Sequence, residues 1–513
     1  MQLFSVDVEL VRKYLESPLL SGDEVAALLD KQAISDGTPI YLDEVTMMPV
    51  EPYCSWGRKM SYEDLAKSTL KEYGRIMARV DVHQRKRGHD ILSATESDLI
   101  AYKRSRTQRT RSAREPTAID VGAPAPRQSR PVGYSAWTKE SGVIDGFYRY
   151  VVEDRKCLQS APMRVAARGR NALSSGIRLG MDIRHLTFEQ FRYLRDVGLG
   201  GQRPDSSVNR SFRASGPHRG RCACDLALGT GMRWQEWATV LLPELGIGWG
   251  RPGEAAEFKV QACAKYGKER TIYAPEDAVD SAETYCLLER PYVVEAAARR
   301  LGRLHRDLFV VSHIEPATGL VRGTLDGIEQ EFLMSAMDPD LRRITVREGE
   351  FGLEALTLFV CRGGLMPLAD SWKRYRHDAW RRMEALADET TPLMPAKRWR
   401  WHDLRHTYAL QLLTYLERQM DGEEPDHAAR RRRHRSYLTG NIRYNPLLIV
   451  SRRLGHSNPS TTYDYLQYTD DMVNDFEAAF RDWLGDTDEQ TTYAQIASHA
   501  FRVEKPTLKS MEG

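Results

Sequence analysis

Apolar residues recur along this chain with two periods, and a period of three to four dominates. Over Ser68–His83, Leu70, Tyr73, Met77 and Val80 share one face, which predicts a helix. Thr95, with Asp98 three residues on, predicts the start of a second helix that runs through Tyr102. Trp137, Ile144, Phe147, Tyr148 and Val151 predict a third, beginning near Ser135. Thr187 and Gln190 cap a fourth, with Phe188, Phe191 and Leu194 facing inward. Further helices are expected over Tyr292–Leu304 and from about Asp370 to Ala387, the latter on Trp372, Tyr375, Ala379 and Met383. Leu404, Tyr408, Leu412 and Leu416 repeat every four residues and mark the buried stripe of another. Met472, Phe476, Phe480 and Trp483 make the stretch Met472–Leu484 amphipathic.

Alternation is rarer. Phe258, Val260, Ala262 and Ala264 alternate with Lys259, Gln261, Cys263 and Lys265, which predicts a strand. Tyr266-Gly267 turns the chain and Arg270–Ala274 returns, a hairpin with Lys265 at its tip. Short strands are expected at Asp307–Val311 and Leu356–Val360, with 313–350 between them reading as an insertion. The first sixty residues are weakly patterned: Val11, Leu15 and Leu19 could line a short helix, and Pro39, Pro49 and Pro52 break the later part. The fold class expected is mainly α with a small β-sheet, an α+β protein.

A length of 513 residues allows two or three domains with substantial cores. Charged residues at 28% and hydrophobic ones at 41% are ordinary for a globular protein. No run approaches the ~18 apolar residues of a membrane span. The N-terminus carries acid rather than a basic patch before an apolar core, so no signal peptide is expected and the cytoplasm is the expected compartment. A net charge of +3 does not by itself announce nucleic acid, but two local clusters do better. Lys103, Arg104, Arg106, Arg109, Arg111 and Arg114 run into Pro116, Pro124, Pro126 and Pro131. Arg430–Arg433, His434 and Arg435 form an unbroken run. Each pattern suits phosphate contact, and each also suits a solvated linker or face. The seven cysteines are scattered, and Cys222 and Cys224 lack a second pair at zinc spacing. Reduced thiols and no metal site are expected.

Candidate chemistry gathers in three places. In Leu226–Trp237 one helix ends at a glycine turn and another begins, placing Arg233 on the face of Trp237 and Leu241. A buried arginine needs a partner, either Glu236 or a bound phosphate. His402 and Arg405, three apart on a helix, present an imidazole and a guanidinium together. About fifty residues later come Leu454, Gly455 and His456, then Asn458 as a helix cap, Pro459 at the first helical position, and Tyr465 two turns in.

His402-x-x-Arg405, then Leu454-Gly455-His456, then Tyr465 nine residues past that histidine, resembles the tyrosine recombinases, the phage-integrase family. Thr230-Gly231-Met232-Arg233-x-x-Glu236 is similar to the family's first catalytic box, and Lys265-x-x-Lys268-Glu269-Arg270 to its hairpin lysine segment. Many members have Gly where Tyr266 stands, so Lys268 competes with Lys265. The resemblance covers 183–470 and, more loosely, 61–160. It implies a C-shaped clamp. An arm or appended segment (1–60) would precede a helical core-binding domain (61–165) with its basic Pro-rich loop 103–131. A linker (166–182), a catalytic domain (183–485) and a tail (486–513) would complete the chain.

The chemistry implied is metal-free and cofactor-free cleavage of a DNA phosphodiester. Arg233 and Arg405 would neutralise the phosphate, Lys265 would protonate the leaving oxygen, and His402 and His456 would donate hydrogen bonds to the phosphate and assist proton movement from the tyrosine. Tyr465 would form the 3′-phosphotyrosyl link, with Tyr463 and Tyr468 as neighbouring alternatives. The partners implied are double-stranded DNA at specific recombination sites, three further copies in a homo-tetramer, and accessory recombination proteins. The location implied is the nucleoid, and the role that of a mobile element's integrase or transposase. A type IB topoisomerase and a non-catalytic DNA-binding regulator of the same fold are the alternatives.

Overall fold

The computed structural model describes residues 1–15, 17, 19–63, 65–108, 131–164, 171–174, 183–212, 216–249, 253–395, 397–421, 446–456, 462 and 465. The basic run 430–435, Asn458, Pro459, Tyr463, Tyr468, the amphipathic stretch 472–484 and the tail 486–513 lie outside these residues. Contacts divide the chain into two units, Met1–Leu179 and Gly180–Gly513.

The first unit contains β1 (Gln2–Ser5), α1 (Val8–Tyr14), α2 (Gly22–Lys31), β2 (Pro39–Leu42), α3 (Tyr53–Ser61), α4 (Lys67–Arg85), α5 (Glu96–Thr107) and α6 (Tyr134–Arg149). Asp98 reaches back to the backbone N–H of Thr95 (2.9 Å), which starts α5 where the sequence places it. Leu70, Met77 and Val80 of α4, Leu99 and Tyr102 of α5, and Trp137, Ile144 and Phe147 of α6 form one core. The first sixty residues, expected as an arm or appended piece, bring Tyr41, Tyr53, Trp56 and Met60 into that core. Tyr53 stacks on Phe147 at 5.2 Å, and its hydroxyl donates to Asp81 (3.0 Å). In the basic stretch, Arg106 is held by buried Glu140, and Lys103 donates to the carbonyls of Ala172 and Ser174. Arg104 is exposed, whereas Arg109, Arg111 and Arg114 lie outside the described residues.

The second unit begins with α7 (Phe188–Arg192), α8 (Pro217–Thr230) and α9 (Trp234–Ala238), then the hairpin β3 (Ala256–Val260) and β4 (Arg270–Ala274). α10 (Glu276–Leu288) and α11 (Arg290–Arg303) lead into β5 (Phe309–Glu315), β6 (Leu320–Leu325) and β7 (Ile328–Leu333). Next come α12 (Pro339–Ile344), β8 (Thr345–Gly349), β9 (Gly352–Ala355), α13 (Ala369–Leu386), α14 (Trp401–Asp421) and α15 (Pro446–Leu454). The unit is helix-rich with small sheets. The stretch expected as an insertion belongs to a five-stranded sheet of order β7-β6-β5-β8-β9. Its neighbours are antiparallel except for the parallel pair β5 and β8.

Two expected strands are corrected. Leu356–Val360 is not a strand: every residue of it is buried, and the strand is Gly352–Ala355. A short apolar run buried on all sides carries no periodic signal to separate strand from irregular core chain. The hairpin's first strand stops at Val260 instead of continuing through Ala264. Beyond it the backbone N–H groups of Gln261 and Ala262 both turn to the carbonyl of Ser335 (3.2 and 2.9 Å). Residues 261–269 therefore form a loop, with Tyr266 in the left-handed region at φ 64°.

Trp237 anchors the core of this unit, with ring centroids 4.8 Å from Trp372, 4.9 Å from Trp401 and 5.9 Å from Phe359. A second cluster joins Leu410, Leu413 and Leu416 of α14 to Leu447, Val450 and Leu454 of α15 and to Tyr465. The sheet is tied to the helices by buried Arg342. It grips Glu244 through two 2.7 Å bonds and also donates to the carbonyls of Thr239, Met334 and Met337. Removing one partner of a buried pair strands the other. Arg342→Met is therefore expected to lower stability by about 3–5 kcal/mol, and pairing it with Glu244→Leu to recover part of the loss. Denaturant midpoints of the single and double variants check this.

Candidate active site

Two arginines close on a single carboxylate, that of Glu236, and a third adds its charge. α8 ends at Thr230, and Gly231 takes a left-handed turn at φ 61°. A Cβ there would lie 2.3 Å from the Tyr408 ring, so the turn needs glycine. Arg233 comes next as the residue just before α9, where its backbone N–H donates to Glu236 (2.6 Å) and its side chain to the same carboxylate (3.2 Å). This differs from the sequence expectation: α9 ends at Ala238, so Arg233 and Leu241 do not continue the helical face of Trp237. Arg270, at the start of β4, closes on both oxygens of Glu236, one of them at 2.8 Å. Sequence reasoning named Glu236 as a partner and passed over Arg270, whose position in a strand gives no charge pattern to read.

α14 starts at Trp401 because Asp403 reaches back to the backbone N–H of Arg400 (2.7 Å). Its Arg405 is 2% exposed and donates to the carbonyls of Gly231 (2.6 Å) and Leu454. Both carbonyls lie at helix C-termini, where the dipole presents partial negative charge. α15 ends in a Schellman turn: Gly455, at φ 63°, donates to Arg452, and His456 donates to Ser451. That turn explains Leu454-Gly455-His456. Leu454 is buried, Gly455 supplies the left-handed residue, and its carbonyl accepts from Arg233 (3.3 Å). A Cβ on Gly455 would meet the Arg270 side chain at 2.9 Å.

The histidines and the tyrosine complete the cluster. His456 Nδ1 shares a hydrogen bond with Thr462 Oγ1 (2.9 Å), and its ring lies parallel to that of Tyr465, 6.3 Å away. Tyr465 is 1% exposed, and its hydroxyl lies 2.8 Å from His406 Nδ1. His402 is open to solvent and meets the His406 ring edge-on at 4.7 Å. His406 was not singled out from sequence, although its spacing of four from His402 was a legible signal. The two lysines differ in placement. Lys265 is exposed with its ammonium over the Tyr266 ring (4.8 Å), whereas Lys268 reaches the carbonyl of His456 (3.3 Å). Thus Arg233, Arg405, His456 and Tyr465 come together with His402 at the edge, and Lys265 turns to its neighbour Tyr266 instead of to them.

Electrostatics reflect this crowding. Burial works against the Glu236 carboxylate, yet the bonds and charge of Arg270, with Arg405 and Arg233, hold it below the usual range. Burial and then Arg233 pull Arg405 down, against Glu236. Burial followed by Arg405, Arg233, His402 and Arg270 lowers His456 to about 3. For His402, crowding by protein atoms and then Arg405, Arg400 and Arg233 lower the pKa. Because solvent reaches this ring, the cations carry that direction. Neutral imidazoles beside three guanidiniums and one carboxylate leave a site with surplus positive charge, suited to an anion.

Among the described residues no three His, Cys, Asp or Glu side chains converge as metal ligands, and no helix is long and apolar enough to cross a membrane. No protein-family model matches the chain, and no curated protein matches it. Among solved structures it is similar to the XerH site-specific recombinase bound to difH substrate in a pre-cleavage complex. That likeness has 11% identity over 90% of each chain and a TM-score of 0.38. The same recombinase on palindromic difH, a post-cleavage complex, gives 12% identity over 92% of this chain and 93% of that one, with a TM-score of 0.41. The XerA recombinase gives 14% identity over 84% and 96%, with a TM-score of 0.27. These likenesses are distant.

Burial, with His402, Arg400, Arg405 and His456 around it, lowers His406 to about 3 from a usual 6.5. Between those values the unfolded chain takes up a proton that the folded chain refuses, so stability falls as pH falls through the window. The unaltered protein is expected to lose stability more steeply than His406→Phe from pH 6.5 toward 4. Denaturant midpoints measured across that range check the difference.

Proposed function

We propose that this protein cuts and rejoins double-stranded DNA at specific sites through a 3′-phosphotyrosyl intermediate. The observation that carries the reading is the surplus positive charge gathered by Arg233, Arg270 and Arg405 around Glu236, with the buried hydroxyl of Tyr465 in the same cluster of side chains. A phosphodiester supplies the missing negative charge. Arg233 and Arg405 would bind its non-bridging oxygens, since a guanidinium is permanently charged and presents a planar fork to phosphate. His402 and His456, neutral, would each donate one hydrogen bond. Tyr465 would attack in line and keep the bond energy in a covalent link until a new 5′-hydroxyl reverses the step. The expected assembly is a homo-tetramer on paired sites, helped by accessory proteins, in the service of a mobile element.

The proton for the leaving 5′-oxygen would come from the loop 261–269. Lys265 is the candidate from sequence. A specific observation favours Lys268, which alone of the two touches the His456 segment.

A duplex nicked near the scissile phosphate, so that cleavage cannot reverse, tests the reading. Candidate recombination sites would be offered without metal or ATP. The unaltered protein is expected to yield a covalent protein–DNA band that Tyr465→Phe lacks. Arg405→Ala is expected to reduce its rate by about 10²–10³. Binding without any covalent band points instead to a regulator. For the lysines, a substrate with sulfur at the bridging 5′ position needs no acid to leave. Whichever of Lys265→Ala and Lys268→Ala cleaves poorly with oxygen and recovers with sulfur identifies the acid.

A further inference from the structure

We propose that His406 is a catalytic residue, the group that takes the phenolic proton of Tyr465 as the phosphotyrosyl bond forms. The inference rests on Tyr465 being the nucleophile, as proposed above, and moves the acceptance of its proton from His402 and His456, to which the sequence points, to a histidine that sequence reasoning passed over.

His406 Nδ1 stands 2.8 Å from Tyr465 Oη, within the reach a general base requires. The pair is buried, with His406 at 3% and Tyr465 at 1% exposure, so bulk water is a poor competitor for the proton. The other histidines are placed differently. His456 gives its Nδ1 to Thr462, and its ring lies parallel to Tyr465 rather than pointing a nitrogen at the hydroxyl. His402 meets the ring of His406, not the tyrosine, and opens to solvent. Of these three imidazoles, it is His406 that turns a nitrogen to this hydroxyl.

The charged surroundings fit the role. His402, Arg400 and Arg405 face His406 from its own helix and the residue before it, and His456 from the turn after α15. Burial and these groups keep the ring neutral without DNA, and an acceptor must be neutral. A phosphodiester placed among Arg233, Arg405 and His456 offsets the charge of Arg405, one of the cations that faces His406. The proton affinity of His406 thus rises when the nucleophile is needed.

The step balances. Tyr465 Oη forms the new P–O bond as the P–O5′ bond breaks, the phenolic proton passes to His406 Nδ1, and the loop lysine gives its proton to O5′. On religation the incoming 5′-hydroxyl returns its proton to the lysine, and the departing tyrosine recovers its own from His406.

The test uses the full chain and the nicked duplex, with DNA affinity and melting temperature measured alongside. His406→Asn leaves an acceptor oxygen near the place of Nδ1 but cannot carry a proton, so it separates holding the tyrosine from deprotonating it. Covalent-complex formation is expected to fall by about 10²–10⁴ at unchanged DNA affinity. A fluorinated tyrosine at position 465, with a more acidic hydroxyl, is expected to recover most of that loss and to change the His406 protein far less. Cleavage by His406→Asn at the unaltered rate overturns the proposal, as does a loss that fluorination leaves untouched. Should the variant not fold, the unaltered protein is measured in heavy water on the sulfur-bridged substrate, where the lysine proton no longer moves. A remaining solvent isotope effect supports transfer of the tyrosine proton, and its absence overturns it. If the unaltered protein forms no covalent complex at all, the nucleophilic reading fails first, a distinguishable result.

Discussion

One carboxylate sets the terms for the second unit. The side chain of Glu236 is fully buried, a place where an isolated carboxylate would give up its charge. It stays ionised because Arg233 and Arg270 bond it directly and Arg405 adds its field. Those groups arrive from the turn after α8, from β4 and from α14; the carboxylate bonds β4 to its own segment, and Arg405 joins α14 to that turn and to the end of α15 through the carbonyls of Gly231 and Leu454. The same bonds leave positive charge in excess. Arg405, the deepest of the three, leans on two helix C-termini instead of on a second acid. Partial charges of that kind hold a guanidinium without cancelling it, which keeps it available to an anion. A site assembled this way is organised when the chain folds, not when a ligand arrives.

Close approach makes that assembly possible, and it depends on two glycines. Gly231 lets the first turn pass against Tyr408, and Gly455 lets the end of α15 pass against Arg270. In the core of the unit Trp372 packs edge to face on Trp237 and Trp401, Trp399 packs edge to face on Trp401, and Trp237 meets Trp401 at a tilt of 55°. Aromatic pairs in this geometry add about 0.5–1.5 kcal/mol beyond burial.

Sequence made the polar cluster legible where a backbone motif carried it. The glycine turn before Arg233, the His402–Arg405 spacing and the end of α15 at Gly455 each leave a local signature. What was not legible depends on distant residues. Arg270 pairs across 34 positions and His406 with Tyr465 across 59; the spacing of His406 from His402 is a local pattern, but no local pattern reports either pairing. The strand expected at Leu356–Val360 failed because its residues are buried on all sides. The first sixty residues looked weakly patterned because short elements share one core with α4 and α6. Their apolar faces become visible only once those partners are in place.

The sheet of 309–355 is not a bystander to the cluster, because it braces the loop that carries the lysines. Gln261 and Ala262 bond Ser335, just past β7, and Cys263 donates to the carbonyl of Met337. Arg342 of α12 joins the same connection, through Met334 and Met337, to Thr239 at the end of α9. The hairpin alone would leave 261–269 as a nine-residue excursion attached only at its two ends. Pinned at 261–263 by the sheet and at Lys268 by the His456 carbonyl, the loop has two fixed points with Lys265 between them. The placement of both lysines therefore depends on how the segment after β7 seats this loop, and a stretch that reads as an insertion in sequence becomes part of the support of the cluster.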